Sequence, residues 1–172
     1  MKKIVLLLFF LVFAVNQAQT QEFTEHKDWI AYIVSEGTLT VPTAYTQATE
    51  APQLSLFSLL FPSDTCGVPL SSLTLLSPSD SSLPEVAAVA TVKIGGHSFN
   101  ATATFVHDEQ VITIPLAFRD VPAVIRAAQG GRSIVIEIPA TTHTKKISLT
   151  FSLMGFSSAY EQAEGLCKSL PR

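Results

Sequence analysis

The segment of the chain best suited to chemistry is residues 155–159, GFSSA, which is one residue short of the G-x-S-x-G signature of a serine nucleophile. A strand-like run precedes it and a helix-like run follows, which is the setting that such a nucleophile requires. No histidine follows His143, however, and in that enzyme class the acid and the base come after the nucleophile. We therefore interpret Ser157 and Ser158 as helix-start residues and predict no catalytic residue.

Metal and cofactor sites need several groups that converge, and the sequence shows no such spacing. No two histidines are four residues apart; the four are His26, His97, His107 and His143. The glycine pairs at 95–96 and 130–131 fit neither of the phosphate-binding signatures G-x-G-x-x-G and G-x-x-x-x-G-K. The sequence therefore predicts neither a metal nor a cofactor.

Positive charge is concentrated at the end of the chain. Residues 19–118 hold two basic and ten acidic residues, whereas residues 119–172 hold seven basic and four acidic ones. Either the two parts complement each other within one fold, or the later part presents a basic patch to an anionic partner. Our hypothesis for a binding face is a set of five cations that one end of the sheet would bring together: Arg119, Arg126, Arg132, Lys145 and Lys146.

Alternation of apolar and polar residues runs through most of the chain and predicts β-strands. In residues 98–106, SFNATATFV, the side chains of Phe99, Ala101, Ala103 and Phe105 share one face, as in a strand with one wet side. Further strand-like runs begin at 29, 53, 71 and 86 and cover 112–116, 134–138 and 147–153. We predict a mostly β fold, either an antiparallel β-sandwich or an open barrel.

Turn signals separate these strands. The glycines at 95–96 are typical of a two-residue hairpin, residues 107–110 are expected to form the next turn, and residues 77–84 the longest loop. Near the start, Trp29 and Tyr32 have the spacing of an aromatic binding platform. We favour the alternative that they pack an edge strand onto the sheet.

Two short helices interrupt the strands. The first is DVPAVIRAAQGG, in which Asp120 is the expected cap, Pro122 lies in the first turn, and glycines end the helix. The second is C-terminal, with apolar residues recurring at helical spacing from 156 to 170, and Ser158 with Glu161 resembles a capping box.

Two cysteines, Cys66 and Cys167, are the only ones in the chain. An even count in an exported protein favours a disulfide, and one between these two would tie the last helix to an early loop. Closing so long a loop is worth about 4 to 5 kcal/mol on entropy grounds, less any strain.

The N-terminus predicts export. Lys2 and Lys3 precede an apolar run of about 12 residues, shorter than the roughly 20 needed to span a membrane, and Ala18 is the expected cleavage position. Residues 1–18 are thus predicted to be a signal peptide and residues 19–172 a single domain. No transmembrane segment is expected after cleavage. The acidic excess also argues against a nucleic-acid partner.

A family resemblance lies in residues 121–167, VPAVIRAAQGGRSIVIEIP…KKISLTFSLMGFSSAYEQAEGLC. This run resembles the C-terminal module of exported bacterial proteins of the invasion-associated locus B type. In that module a strand ending in FSLxGFxxA leads into the last helix, and residues 151–159, FSLMGFSSA, match it. The resemblance implies an exported β-rich domain from a Gram-negative bacterium and supplies no catalytic residue.

These observations favour a non-catalytic binding module in the periplasm or outside the cell, with a protein or an anionic envelope component as its partner. Two alternatives stay open. One is an inhibitor or immunity protein that blocks an exported enzyme. The other is a small hydrolase with a site assembled from scattered residues.

Overall fold

The structure is a computed structural model that describes residues 23–36, 39–50, 54–76, 87–108, 111–140 and 146–170. The predicted signal peptide, the predicted loop at 77–84, His143 and Lys145 lie outside these ranges.

Eleven strands form one sheet in these ranges, and each pair of neighbours is antiparallel. They are β1 (Thr24–His26), β2 (Trp29–Glu36), β3 (Leu39–Gln47), β4 (Ser55–Leu60), β5 (Leu70–Leu76), β6 (Ala87–Ile94), β7 (His97–Thr104), β8 (Val106–Asp108), β9 (Val111–Phe118), β10 (Ser133–Ile138) and β11 (Ile147–Ser152). Two helices accompany them, α1 (Val121–Gly130) and α2 (Phe156–Ser169). The mostly β, antiparallel prediction with two short helices is confirmed.

The sheet curls so that its last strand, β11, comes back to the end of β3, without closing the sheet. Its order is β1-β2-β3-β4-β5-β9-β7-β6-β10-β11, with β8 beside β9. Just after β3, Ala48 bridges to Phe151 of β11, and the Thr49 N–H donates to the Thr150 carbonyl at 2.9 Å. No longer ladder joins these strands in the described ranges. Of the two predicted architectures, the open barrel therefore fits, because one continuous sheet encloses the core.

Side chains alternate between the enclosed core and the outer face, as the sequence periodicity predicts. Ile134, Ile136 and Ile138 of β10 are fully buried, and the predicted Gly95-Gly96 hairpin joins β6 to β7. Trp29 is also fully buried, and its indole N–H donates to the Ser152 carbonyl at 2.8 Å. Trp29 is thus a core residue. The interpretation in which it forms part of an aromatic binding platform is therefore wrong.

Strand β3 was not predicted from the sequence, because Pro42 interrupts its pattern. Proline lacks the N–H that a central strand needs. Here Pro42 pairs with Ile33 of β2, and its carbonyl accepts from the Phe61 N–H at 2.9 Å, just beyond the end of β4. The N–H that proline lacks would point to the same side of β3 as this carbonyl, at a place where β4 has already ended.

Helix α1 begins as predicted. The Asp120 carboxylate accepts a hydrogen bond from the Ala123 N–H at 2.9 Å, and Pro122 lies in the first turn. Val124, Ile125 and Ala128 form the buried face of the helix. Its other face, which includes Arg126, is exposed.

Helix α2 begins earlier than the predicted capping box. Its N-cap is Gly155 at φ 89°, with no side-chain cap, so Ser157 and Ser158 are the second and third residues of the helix. The capping-box prediction is therefore wrong. The helix packs on the inner face of the sheet, where the Phe156 ring lies 5.0 Å from Trp29 and the Tyr160 ring lies 5.3 Å from Phe61.

The far end of α2 is joined to the loop after β4. Cys167 pairs with Cys66 in a disulfide, with Cα atoms 5.6 Å apart and a sequence separation of 101. This is the predicted pairing. Neither described helix combines the length and the hydrophobicity that a membrane crossing requires.

Candidate functional site

A polar cleft of about 470 Å³ lies where three elements meet: the turn between β1 and β2, the end of α1 and the start of α2. The antiparallel return of β11 brings the start of α2 beside that turn, and the Asp28 N–H donates to the Met154 carbonyl at 3.2 Å. The cleft is lined by Glu25, His26, Lys27, Gln129, Leu153, Gly155, Ser157 and Ser158.

Close backbone contact forms the floor of the cleft. A Cβ atom on Gly155 would lie 1.8 Å from the His26 carbonyl oxygen, and the positive φ also favours glycine there. This contact gives the glycine of the FSLMGFSSA motif a structural role. Lys27 also has a positive φ, of 58°, which allows β1 to turn directly into β2.

One wall of the cleft is fixed by polar contacts between β1 and α2. His26 Nε2 bonds with the Gln162 side-chain oxygen, and the Gln162 side-chain nitrogen donates to the Thr24 hydroxyl at 2.6 Å. Since an amide oxygen accepts, His26 Nε2 is the donor in this bond. The imidazole is thereby held in one orientation.

The cleft brings a serine, a histidine and a carboxylate to one place, which sequence spacing did not indicate. Ser157, His26 and Glu25 all line it. In the described residues, no hydrogen bond joins Ser157 to His26, whose Nε2 instead bonds Gln162. The arrangement therefore contains the residue types of a nucleophilic site without its hydrogen-bonded relay.

Two of the five predicted binding cations lie beside this cleft. The Arg132 carbonyl accepts from the N–H of Leu153, a cleft residue, at 3.0 Å. Arg126 is exposed three residues before Gln129, which also lines the cleft and is exposed, so the two share one side of α1. Arg119 is exposed before the other end of the helix, roughly 15 Å away for a helix of this length. All three arginines lack an ion-pair partner among the described residues.

Lys146 lies elsewhere, so the expectation that the five cations meet at one end of the sheet is wrong for this residue. The register of β10 and β11 pairs Ser133 with Ser152 and Ile138 with Ile147. Arg132 and Lys146 therefore precede opposite ends of this strand pair, roughly 20 Å apart. The notion of a shared end overlooked that antiparallel neighbours start at opposite ends. Lys145 lies outside the described residues.

The positive charge of Lys146 affects Glu137, which is not a residue of the cleft. The Lys93 ammonium donates to the Glu137 carboxylate at 2.6 Å, and this hydrogen bond, with the charges of Lys93 and Lys146, lowers the pKa of Glu137. Lys27, in contrast, lines the cleft and was missed. As one of two basic residues in the acidic first part of the chain, it was an available signal.

The described residues offer no second candidate site, either for a metal ion or in an internal cavity. In the described residues, no three histidine, cysteine, aspartate or glutamate side chains are grouped as a metal site requires. Between α1 and the sheet lies an apolar gap of about 10 Å³, bordered by Phe57, Val124 and Phe156. This gap has room for no more than one water molecule.

Comparison with known proteins gives a match at the level of fold. No protein-family profile and no curated protein sequence matches the chain. The crystal structure of invasion associated protein b from Bartonella henselae matches with a TM-score of 0.57, covering 86% of this chain and 97% of that one at 14% identity. The chain therefore has the fold of invasion associated protein B, as the C-terminal resemblance implied.

Proposed function

We propose that this protein is an exported, non-catalytic binding module that holds an anionic group of its partner at the cleft between α1, α2 and the β1–β2 turn. The observation that carries the proposal is that Lys27 lines this open, polar cleft while Arg126 and Arg132 are exposed on segments that border it. Export is supported by the N-terminal sequence and by the disulfide, which is typical of proteins outside the cytosol.

The chemistry of the cations favours a phosphate or a carboxylate. Arginine can donate two parallel hydrogen bonds to either group, and both arginines are exposed without an ion-pair partner among the described residues. Glu25 lies in the same cleft, and its negative charge repels a partner that carries many anionic groups. A partner with one or a few such groups is therefore favoured. The partner is thus an acidic protein segment or an anionic envelope component.

The test is capture from envelope extracts by immobilised protein. We expect Arg132→Glu to weaken capture about fivefold or more, because one surface charge contact is worth up to about 1 kcal/mol and the reversal adds repulsion. The loss should be larger at low salt than at high salt. Thermal stability should be almost unchanged, because the side chain is exposed.

Lys146→Glu is the matched control, since it reverses an exposed cation at the opposite end of the same strand pair. Capture should not change in this variant. Equal losses in both variants would mean that net charge rather than the cleft controls binding. Unchanged capture by Arg132→Glu together with lower stability would show that the charge serves the fold. If the captured protein is an exported enzyme that loses activity in the complex, the module is an inhibitor.

A second candidate function, hydrolysis, is favoured by the presence of Ser157, His26 and Glu25 in one cleft. Ser157→Ala separates the two candidates, because Ser157 is not the helix cap and its loss should leave stability unchanged. If Ser157 is a nucleophile, this substitution should lower the turnover of simple esters by a factor of 100 or more, since a catalytic group contributes about 10²–10⁴. In the binding module, capture depends mainly on the cations, so it should fall much less than the turnover of a nucleophilic enzyme.

A further inference from the structure

A second surface, separate from the cleft, lies on the outer face of strands β2 to β5. Register assigns side chains to this face: residues paired across antiparallel strands share a side, and Trp29 and Ala31 point into the core. We call it the outer patch; its members are Ile30, Tyr32, Val34, Val41, Thr43, Tyr45, Gln47, Leu56, Ser58, Leu60, Leu70, Ser72 and Thr74.

The outer patch carries no charge and is rich in large apolar groups. Ten of its members are partly exposed, Gln47 is exposed, Leu70 is 61% exposed, and Thr43, whose hydroxyl donates to the Val41 carbonyl, lies beneath the larger side chains. Tyr32 and Tyr45 pack edge to face at its centre, with ring centroids 5.3 Å apart. A water-facing side of a sheet usually alternates toward polar and charged residues.

The contrast with the neighbouring outer face shows that this composition is local. On β6 and β7 the outward side chains include Lys93, Ser98, Asn100 and Thr102, which are exposed and polar or charged. On β10 the outward Glu137 pairs with Lys93. The β2–β5 portion thus combines partial exposure with a continuous uncharged surface that includes two aromatic rings.

We propose that the outer patch is a self-association surface on which a second copy of this chain packs face to face. A twofold interface brings the same patch of both copies together, so any charge in it meets a like charge. An uncharged patch can therefore meet itself without local repulsion. Glu25, opposite Ile30 on β1, lies at the rim, as charged residues do in protein interfaces.

The dimensions suit a dimer of modest affinity. Four strands at about 4.8 Å spacing and six to nine residues at about 3.3 Å each give a face of roughly 19 Å by 20–30 Å. Side-chain relief brings the accessible area of such a face toward the roughly 800 Å² that each partner buries in an interface of standard size. Two sheets can pack at about 10 Å with their strands nearly aligned.

The experiment is sedimentation velocity over a concentration series with the protein purified after export. We expect a reversible monomer–dimer equilibrium, and we expect Ser58→Arg to weaken it at least tenfold, since that residue lies near the middle of the patch. Thr102→Arg is the matched control, because it adds the same charge to an exposed outward position on β7. Its dissociation constant should stay within about twofold of wild type.

Salt separates this surface from the cleft. Dimerisation through an uncharged patch should persist or strengthen at high salt, whereas capture by arginines should weaken. A wild-type protein that stays monomeric at millimolar concentration, or a dimer that Thr102→Arg disrupts and Ser58→Arg does not, would overturn the proposal. So would a monomer whose patch binds neutral phospholipid vesicles, since the occupant would then be a membrane. The cleft proposal is unaffected by any of these results.

Discussion

Gly155 shows at the level of a single residue why the strand-to-helix junction has its sequence. We expect Gly155→Ala to lower the free energy of unfolding by at least about 2 kcal/mol, because it adds a methyl group at positive φ against the His26 carbonyl. Urea unfolding monitored by circular dichroism measures the change.

Gly165→Ala is the control for that substitution. Gly165 lies within α2, and a methyl group there meets no atom within 4 Å. The same change should therefore raise stability by about 0.5–1 kcal/mol, as in an ordinary helix. Destabilisation of both variants to the same degree would contradict the role assigned to the contact with His26.

Tyr32 predicts how the protein responds to alkaline pH. Burial, followed by the nearby Tyr45, raises the pKa of Tyr32 from 10.0 to about 12. The unfolded chain therefore loses this proton first, so the stabilising effect is complete below about pH 10 and falls as the pH rises toward about 12. We expect Tyr32→Phe to remove on the order of 1–2 kcal/mol of the alkaline loss.

Absorbance of tyrosinate and unfolding at several pH values test this expectation. Tyr45, whose pKa burial and Glu25 also raise, supplies the comparison through Tyr45→Phe. Tyr32 titrating near its ordinary value in the folded protein would contradict the described packing of the two rings.

At the scale of elements, the disulfide should decide how firmly α2 is held. We expect Cys66→Ala combined with Cys167→Ala to lower stability by about 2–5 kcal/mol, because the bridge closes a loop of 101 residues. Hydrogen exchange should speed up most in the last turns of α2, where the helix loses its covalent tie.

Reduction of the wild-type protein provides the control and should reproduce the exchange pattern of the double variant. Uniform loss of protection across the sheet would instead mean that the bridge holds the whole fold together. In that case α2 would not be a separately released element.

Sequence periodicity predicted most strands and both helices because burial on one face leaves a regular spacing of apolar residues. That spacing is every second residue in a strand and every third or fourth residue in a helix. It missed β3, where Pro42 is tolerated only because β4 ends beside it. It also misplaced the start of α2, since a close backbone contact rather than a serine cap sets that end. Both errors depend on neighbours distant in sequence, which periodicity does not contain.

For the molecule as a whole, the fold class and the cysteine pair could be predicted, whereas the candidate site could not. The binding hypothesis included Arg126 and Arg132, whose role in binding stays a prediction, and it added Lys146, which the antiparallel register places at the other end of the strand pair. Lys27 and His26 join the cleft only because the curled sheet returns β11 to β2. The order of the strands in the sheet, rather than any local sequence motif, therefore brings the residues of the site together.

The contacts that hold the two ends of the sheet together all wait for the last part of the chain. Trp29 needs Ser152, Ala48 needs Phe151 and Cys66 needs Cys167, each over a separation of more than 100 residues. During synthesis the strands β1 to β5 can therefore pair with one another, whereas the two ends of the sheet cannot come together until the final residues have left the ribosome. We therefore expect the joining of these two ends to be the last step of folding, since it depends on the contacts of greatest sequence separation.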